Sequence, residues 1–376
     1  MQSCDVLIVG GGPAGSSLAW GLRDSGLKVI LIDKQVFPRN KTCAGWITPT
    51  VIETLQLDIE QYAQEHTFQP VRGFRIGIIG SDVIDIHYGN TPASYGIRRC
   101  EFDHYLLKRC GADLHLGENL RDIRRKDDTW IINNDIQARL VVGAGGHFCP
   151  IARYLGAKVG RTETAVSAQE IEFKLDAARM AGCNIDPEIP ELYFCPDLKG
   201  YGWILRKGDY LNIGLGREAQ HKLSEQVDYF CDFLREKKKI NFELTDKFNG
   251  HAYLLYQHST RPGYADGILL IGDAAGLAYT QSGEGIRPAI ESGLLASEII
   301  RKANGHYETS NLVPYADAIT KRFGARKQEN QFFPVITGKV KQFIGQRLLR
   351  SPWFARNIVI DRWFLHSELP PLPALK

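Results

Sequence analysis

None of the eight cysteines forms a CxxC pair, so neither the ligand spacing of a zinc ribbon nor the density of a disulfide scaffold is present. Reduced thiols and no metal site are expected. The sequence also lacks any run of about 18 apolar residues and any basic-then-apolar leader, which argues against a membrane-spanning helix and against export. A cytoplasmic protein is the expectation. Charge of one sign is scarce in excess: 46 Lys and Arg stand against 43 Asp and Glu, so nothing calls for nucleic acid as a partner. The ten histidines are dispersed and no Ser/His/Asp spacing can be read, so no catalytic triad is expected. His147, alone in a loop, is expected to be exposed, the commoner state of such a histidine, with an approach to a bound ligand as the alternative.

What is present is a soluble-protein composition, 44% hydrophobic and 24% charged over 376 residues, enough for two cooperating units. The first announces itself in DVLIVGGGPAGSSLAWGLRDSGLKVILIDK. Val6 to Val9 read as a buried parallel strand that runs into a glycine turn. Ala14, Leu18, Ala19 and Leu22 then recur at helical spacing until Gly26, and Val29 to Ile32 form a second buried strand ending at Asp33. Gly10, Gly12 and Gly15 fit G-x-G-x-x-G: the first allows the turn, the second lets a pyrophosphate reach the backbone, the third lets helix and strand pack closely. Free amides at the helix start bind phosphate. Asp33 stands where an acid accepts from a ribose 2′-hydroxyl and repels a 2′-phosphate. Pro13 and Ala14 inside the turn, and Lys34 after the acid, join these as cofactor-binding candidates. The fingerprint alone does not separate NAD from FAD.

A second glycine-punctuated segment lies far downstream, GILLIGDAAGLAYTQSGEGIRPAIESGLLASEII. Ile268 to Ile271 read as a strand ended by Gly272 and Asp273, and Gly283 and Gly285 lead into a helix from about Ile286. Taken with FPRNKTCAGW, IRRCEFDHYLL, VVGAGG and YGWI, the chain resembles the FAD-dependent oxidoreductases of the p-hydroxybenzoate hydroxylase fold, most closely their geranylgeranyl reductase branch. The resemblance covers most of residues 1 to 300.

It implies FAD as the cofactor, with NADPH, NADH or ferredoxin as candidate electron donors. Asp273, beside Gly272, would contact the ribityl and pyrophosphate part. The helix beginning at Ile286 would aim its N-terminus at the flavin's pyrimidine edge and favour the anionic reduced form, with Gly283 and Gly285 letting backbone approach the ring. Arg99, rather than its neighbour Arg98, would reach the phosphates or ribityl chain. Arg39 is taken as a cofactor contact, although it and Lys41 could equally serve solvent. Cys43, a residue type usually buried as a small hydrophobe, is placed by the resemblance with Ala44 and Gly45 beside the flavin, where its thiol would gate oxygen, donate a proton or shape the pocket. The chain departs from related monooxygenases at Gly145, where they carry an aspartate linked to NADPH use, and this leaves the route of reduction open.

Residues 161 to 261 carry short alternating runs broken by Gly, Pro and Asp, as antiparallel strands do. Tyr201 and Trp203 share one face of such a strand; the resemblance makes them the aromatic wall of a prenyl cavity and, with Cys43, the catalytic candidates, with core packing as the alternative. Leu205 and Arg206 replace the last two members of the related Tyr-x-Trp-x-Phe-Pro pattern. The expected fold class is α/β (α+β): a Rossmann-like FAD-binding domain (1–73, 91–160 and 262–325), an antiparallel-sheet substrate domain (74–90 and 161–261) and C-terminal helices (326–376). In that last segment Phe332, Phe333, Val340, Phe343, Ile344, Leu348 and Leu349 alternate with Lys339, Lys341, Arg347 and Arg350. Such helices pack on the rest of the protein or rest peripherally on a membrane; PWF and ELPPLPALK are expected to end them and leave a loose terminus. The reaction expected is reduction of a carbon–carbon double bond in a prenyl or other small hydrophobic substrate by hydride from reduced flavin, in a monomer or homodimer. The alternatives are an FAD-dependent monooxygenase acting on an aromatic or small hydrophobic substrate, and a non-catalytic flavin-binding or electron-carrying protein.

Overall fold

A computed structural model describes residues 1–158, 163, 165–218, 222–326 and 338–372, with backbone only for 338–341. Strand Gln2–Val9 runs in the middle of a parallel sheet, paired with Val29–Asp33 on one side and Ile136–Gly143 on the other. Both faces are covered there, and Val6, Leu7 and Ile8 are wholly buried; two covered faces are why the strand reads as an apolar run rather than an alternation. Ile268–Leu270 adds beyond Ile136–Gly143 and Asp113–Leu116 beyond Val29–Asp33, both parallel. Tyr264–Ala265 closes one edge antiparallel, and the hairpin Ile123–Lys126 with Thr129–Ile132 hangs on Ile136–Gly143.

The turn after the first strand requires glycine at position 10. Its φ is +119°, and a Cβ there would lie 2.5 Å from the Ala144 carbonyl. Helix Pro13–Leu22 follows and lies against the long helix Ile286–Ala303. The two approach so closely that a Cβ on Gly293 would sit 2.4 Å from the Ala14 carbonyl oxygen. The first strand-turn-helix and this downstream helix thereby share one core.

The second sheet has seven strands in the order Asn249–Tyr253, Val166–Lys174, Tyr210–Arg217, Gly200–Lys207, Glu191–Phe194, Gly73–Ile78, Val83–His87. It is antiparallel as expected except for one pair: Glu191–Phe194 lies parallel to Gly73–Ile78. Those two strands come from distant parts of the chain, so no hairpin dictates their direction. Helix Leu223–Glu236 covers one face through Val227, Phe230, Phe233 and Leu234.

The C-terminal segment differs from expectation. Phe332 and Phe333 lie outside the described residues, as do the side chains of Lys339, Val340 and Lys341. Helix Gly338–Leu349 stops just before PWF as expected, but Pro352 begins another helix, where a missing N–H does no harm, and the chain continues as the wider helix Ala355–Phe364. Ala355, Val359, Ile360 and Phe364 are buried with Trp46, Phe74 and Trp203 on the other face of the second sheet. Nor is the stretch beyond it loose as far as Pro370: Arg287 donates to the carbonyls of His366, Leu369 and Pro370 at 3.1, 2.6 and 3.0 Å.

Gly293→Ala is expected to lower unfolding free energy by about 1–3 kcal/mol, the usual effect of overpacking. Gly250→Ala, with open space at its Cβ position, should change it by less than about 0.5 kcal/mol. Denaturant titration of both variants checks this.

Candidate functional site

A cavity of about 730 Å³ opens between the two sheets, a size suited to a cofactor with substrate. Its floor is the glycine turn: Gly10, Gly12, Pro13 and Ala14 line it, with Asp33 and Lys34 from the end of the second strand. Asp33 is oriented by backbone, accepting the N–H of Gly11 at 2.7 Å and of Gln35 at 2.8 Å. The first helix has Gly12 as its N-cap and no side-chain cap, so its first amides are free for an anion.

Cations crowd the adjoining wall. Arg99 is buried and makes a two-pronged contact with Asp103, Nε to Oδ1 at 2.8 Å and Nη2 to Oδ2 at 2.9 Å. Arg39 shares the same carboxylate, Nη2 to Oδ2 at 3.3 Å, and its buried Nη1 has no partner among the described residues. One acid thus answers two guanidiniums, leaving positive charge over. Arg98 points elsewhere, to Glu172 and Glu101. Lys41 is half-buried and lines the cavity, its Nζ donating to His251 Nε2 at 2.6 Å. Burial, then the charge of Arg99, brings its ammonium down to about 8. Burial and Lys41 together hold His251 well below the ordinary imidazole range, so this ring accepts rather than competes. His147 is a correction: it is buried, not exposed, with its ring 5.2 Å from that of His251. Arg261 pulls it in, donating to its carbonyl at 2.6 Å while bonded to buried Glu163.

Cys43, Ala44 and Gly45 form the loop over the cavity, and a buried polar frame in the second sheet holds them. Glu170 accepts the Cys43 N–H at 2.7 Å and an Asn212 amide N–H at 2.8 Å. Asn212 also donates to the Cys43 carbonyl at 3.2 Å and accepts the Trp203 indole N–H at 2.7 Å. Lys207, fully buried, donates to the carbonyls of Ala44 and Ile97, each at 3.0 Å, and pairs with Glu172. Trp203 is therefore both core and wall: its indole lies flat over Gly214, whose added Cβ would meet it at 2.2 Å. Burial pushes Glu170 up to about 7, against the pull of Lys207 and the Cys43 N–H.

The far end is aromatic. Tyr201, Trp203, Trp46, Tyr253 and Phe364 line it, Tyr201 packing on Phe364 at 5.2 Å and donating its hydroxyl to the Ser282 carbonyl at 2.6 Å. That bond ties the wall to the downstream loop, where Asp273, Gly283, Gly285 and Ile286 line the cavity at the start of the long helix. Glu284 stands in the same loop; one oxygen accepts the Arg287 N–H at 2.7 Å and the other is buried without a partner among the described residues. Burial pushes it up to about 7.

Of the catalytic and cofactor-binding candidates, the fold brings all to this cavity except Gly15 and Gly272. Both stand behind its wall as packing positions: an added Cβ would meet the Gly10 carbonyl oxygen at 2.0 Å and the Ala14 Cβ at 2.9 Å respectively. His251, Tyr253, Glu170, Asn212, Glu284 and Phe364 were missed. Only Glu284, inside S-G-E-G-I, had a motif to mark it.

The residues fit a dinucleotide with an apolar neighbour: an uncapped helix N-terminus, surplus guanidinium charge and a glycine floor at one end, rings at the other. The FAD binding domain family matches residues 3–323, and the chain belongs to that family; it is a flavoprotein with FAD as its cofactor. Within it, the chain is an FAD-dependent oxidoreductase of the geranylgeranyl reductase-like group. A menaquinone reductase of Mycobacterium tuberculosis is 31% identical over 325 residues, 80% of this chain and 77% of that protein. A digeranylgeranylglycerophospholipid reductase of Methanocaldococcus jannaschii is 27% identical over 326 residues, again 80% and 77%. Among solved structures, a geranylgeranyl bacteriochlorophyll reductase-like protein of Thermoplasma acidophilum shares the fold, with a TM-score of 0.72 at 22% identity over 93% of this chain and 88% of that one.

Glu170→Ala strands the Cys43 N–H and the Asn212 amide, and is expected to lower stability by about 1–3 kcal/mol. Because the folded state holds the Glu170 proton up to about pH 7 and the unfolded state releases it near pH 4.5, this group makes stability fall as pH rises through that window. Glu170→Gln should flatten that part of the slope. Denaturant midpoints of the two variants and the parent between pH 4.5 and 7.5 check both.

Proposed function

We propose that this protein reduces carbon–carbon double bonds of a prenyl or other hydrophobic substrate. The observation that carries the reading is the aromatic end of the cavity, Trp46, Tyr201, Trp203, Tyr253 and Phe364, continuous with the loop of Cys43 and with the glycine loop of 283 and 285. FAD, when bound and reduced, supplies the hydride.

The chain's own residues do the rest. Gly10, Gly12, Pro13 and Ala14 present backbone and a helix N-terminus to the pyrophosphate, and Asp33 accepts from the adenosine ribose. Lys34, Arg39 and Arg99 offset the phosphate charge, while Asp273 meets the ribityl chain. Ala44, Gly45, Gly283, Gly285 and Ile286 form the narrow walls for the ring system, with Gly15 and Gly272 behind them letting helix and strand close up. Trp203, locked by Asn212, and Tyr201, locked by the Ser282 carbonyl, hold an apolar chain and exclude water. Cys43 sits between ring wall and substrate wall, the position from which a thiol hands a proton to the second carbon. NADPH, NADH or ferredoxin would restore the electrons.

The purified yellow protein, reduced with dithionite under anaerobic conditions, is expected to be reoxidised by a polyprenyl lipid, with product two mass units heavier per double bond reduced. Reoxidation only when air enters, with oxygen in the product, would replace this reading with hydroxylation. In the companion test, Asp273→Ala should lose bound FAD at least about tenfold more readily, the effect of one lost hydrogen-bonding carboxylate, whereas Cys43→Ala should keep FAD and lose turnover. Flavin absorbance after gel filtration, set beside the turnover rate, distinguishes them; equal FAD retention in the two variants would remove these roles.

A further inference from the structure

Phe364, one ring of the cavity's far wall, belongs to a C-terminal segment whose first helix turns one side away from the protein. Helix Gly338–Leu349 rests on the second unit by one side. Gln342 and Gln346 each donate to the Pro196 carbonyl at 2.7 Å, an added Cβ on Gly345 would meet Leu198, and Leu349 is buried. At about 100° per residue, Phe343, Ile344, Arg347, Leu348 and Arg350 fall on the opposite arc. All five are exposed, Phe343 at 65%, Ile344 at 47% and Leu348 at 42%. Trp353 follows at 65% exposed. Large apolar side chains held outward in a row mark an interaction surface.

Its charge says what it meets. From 338 to 360 the sequence carries Lys339, Lys341, Arg347, Arg350 and Arg356 and no acid, in a chain whose net charge is only +3. A second copy docking face to face would set arginine against arginine, a like-charge contact that opposes self-association. Guanidiniums interleaved with Phe, Ile, Leu and Trp match a bilayer boundary, where rings enter the acyl region and cations meet headgroup phosphates. No described helix is long and apolar enough to cross a membrane, so the contact is lateral. We propose that the face from Phe343 to Trp353 docks this protein on an anionic phospholipid bilayer. The same segment runs on to Phe364 in the cavity wall, which places the docking element and the substrate wall on one piece of chain. The link to substrate rests on the reading of a hydrophobic substrate; the docking does not.

Flotation of the full, FAD-loaded chain with vesicles tests it, comparing phosphatidylcholine alone with phosphatidylcholine containing about one-third phosphatidylglycerol. Binding is expected on the anionic vesicles only, weakening with salt. The pair Arg347→Glu with Arg350→Glu, and the pair Phe343→Ser with Trp353→Ser, should each reduce it at least about tenfold while leaving bound flavin intact. No preference for anionic vesicles, or equal binding by the variants, overturns the proposal. So does a dimer in sedimentation without lipid that both variant pairs dissolve, which would assign the face to a second copy. Vesicle binding without polyprenyl reduction leaves the docking standing and removes the proposed reaction.

Discussion

The structure depends on one close contact, backbone against backbone, between the helix after the first strand and the helix after the last long loop. Gly293 makes it feasible, since any side chain there would strike the Ala14 carbonyl. Because the two helices lie alongside each other, from Ala14 against Gly293 to Gly21 against Ser297, the two glycine loops that precede them open toward the same space. Both helices bring partial positive charge to that space, the first with its amides free and the second with the Arg287 N–H taken by Glu284. A cofactor with a phosphate middle and a ring end is the ligand such a pair of loops accommodates.

The second sheet solves a different problem: holding an irregular loop over a cavity without leaving polar groups bare. The Cys43 N–H and carbonyl, the Ala44 carbonyl and the Trp203 indole all find partners among Glu170, Asn212 and Lys207. In a low-dielectric interior such a network is firm when complete and destabilising when one member is lost. It joins a loop of one unit to an aromatic wall of the other, so loop position and wall position are set together.

Charge then divides the cavity. At the turn end, Asp103 is shared by Arg39 and Arg99, and Lys41 donates its hydrogen bond to His251. At the other end the polar atoms of Tyr201 and Trp203 are already satisfied by the protein, which leaves their rings as the surface presented. An anion at one end and an apolar chain at the other is the division this lining supports.

The sequence by itself determined the features that obey local rules. The strand from Val6 to Val9, the turn at Gly10, the acid at the end of the next strand and the helix start at Ile286 each follow from a run, a φ requirement or a spacing, and the fold places them as read. The positions of His147, His251, Glu170, Asn212 and Phe364 obeyed no such rule. His147 looked like a surface residue because its partners Arg261 and His251 are both distant in sequence. Glu170 and Asn212 lie on strands whose alternation says only which face they share, not that a loop from the other unit will lower its backbone onto them. The proline-rich end looked loose because its partner, Arg287, belongs to a helix far upstream. Backbone geometry is a property of a few neighbouring residues, whereas burial and hydrogen-bond partnership arise only when segments far apart in the chain are packed together.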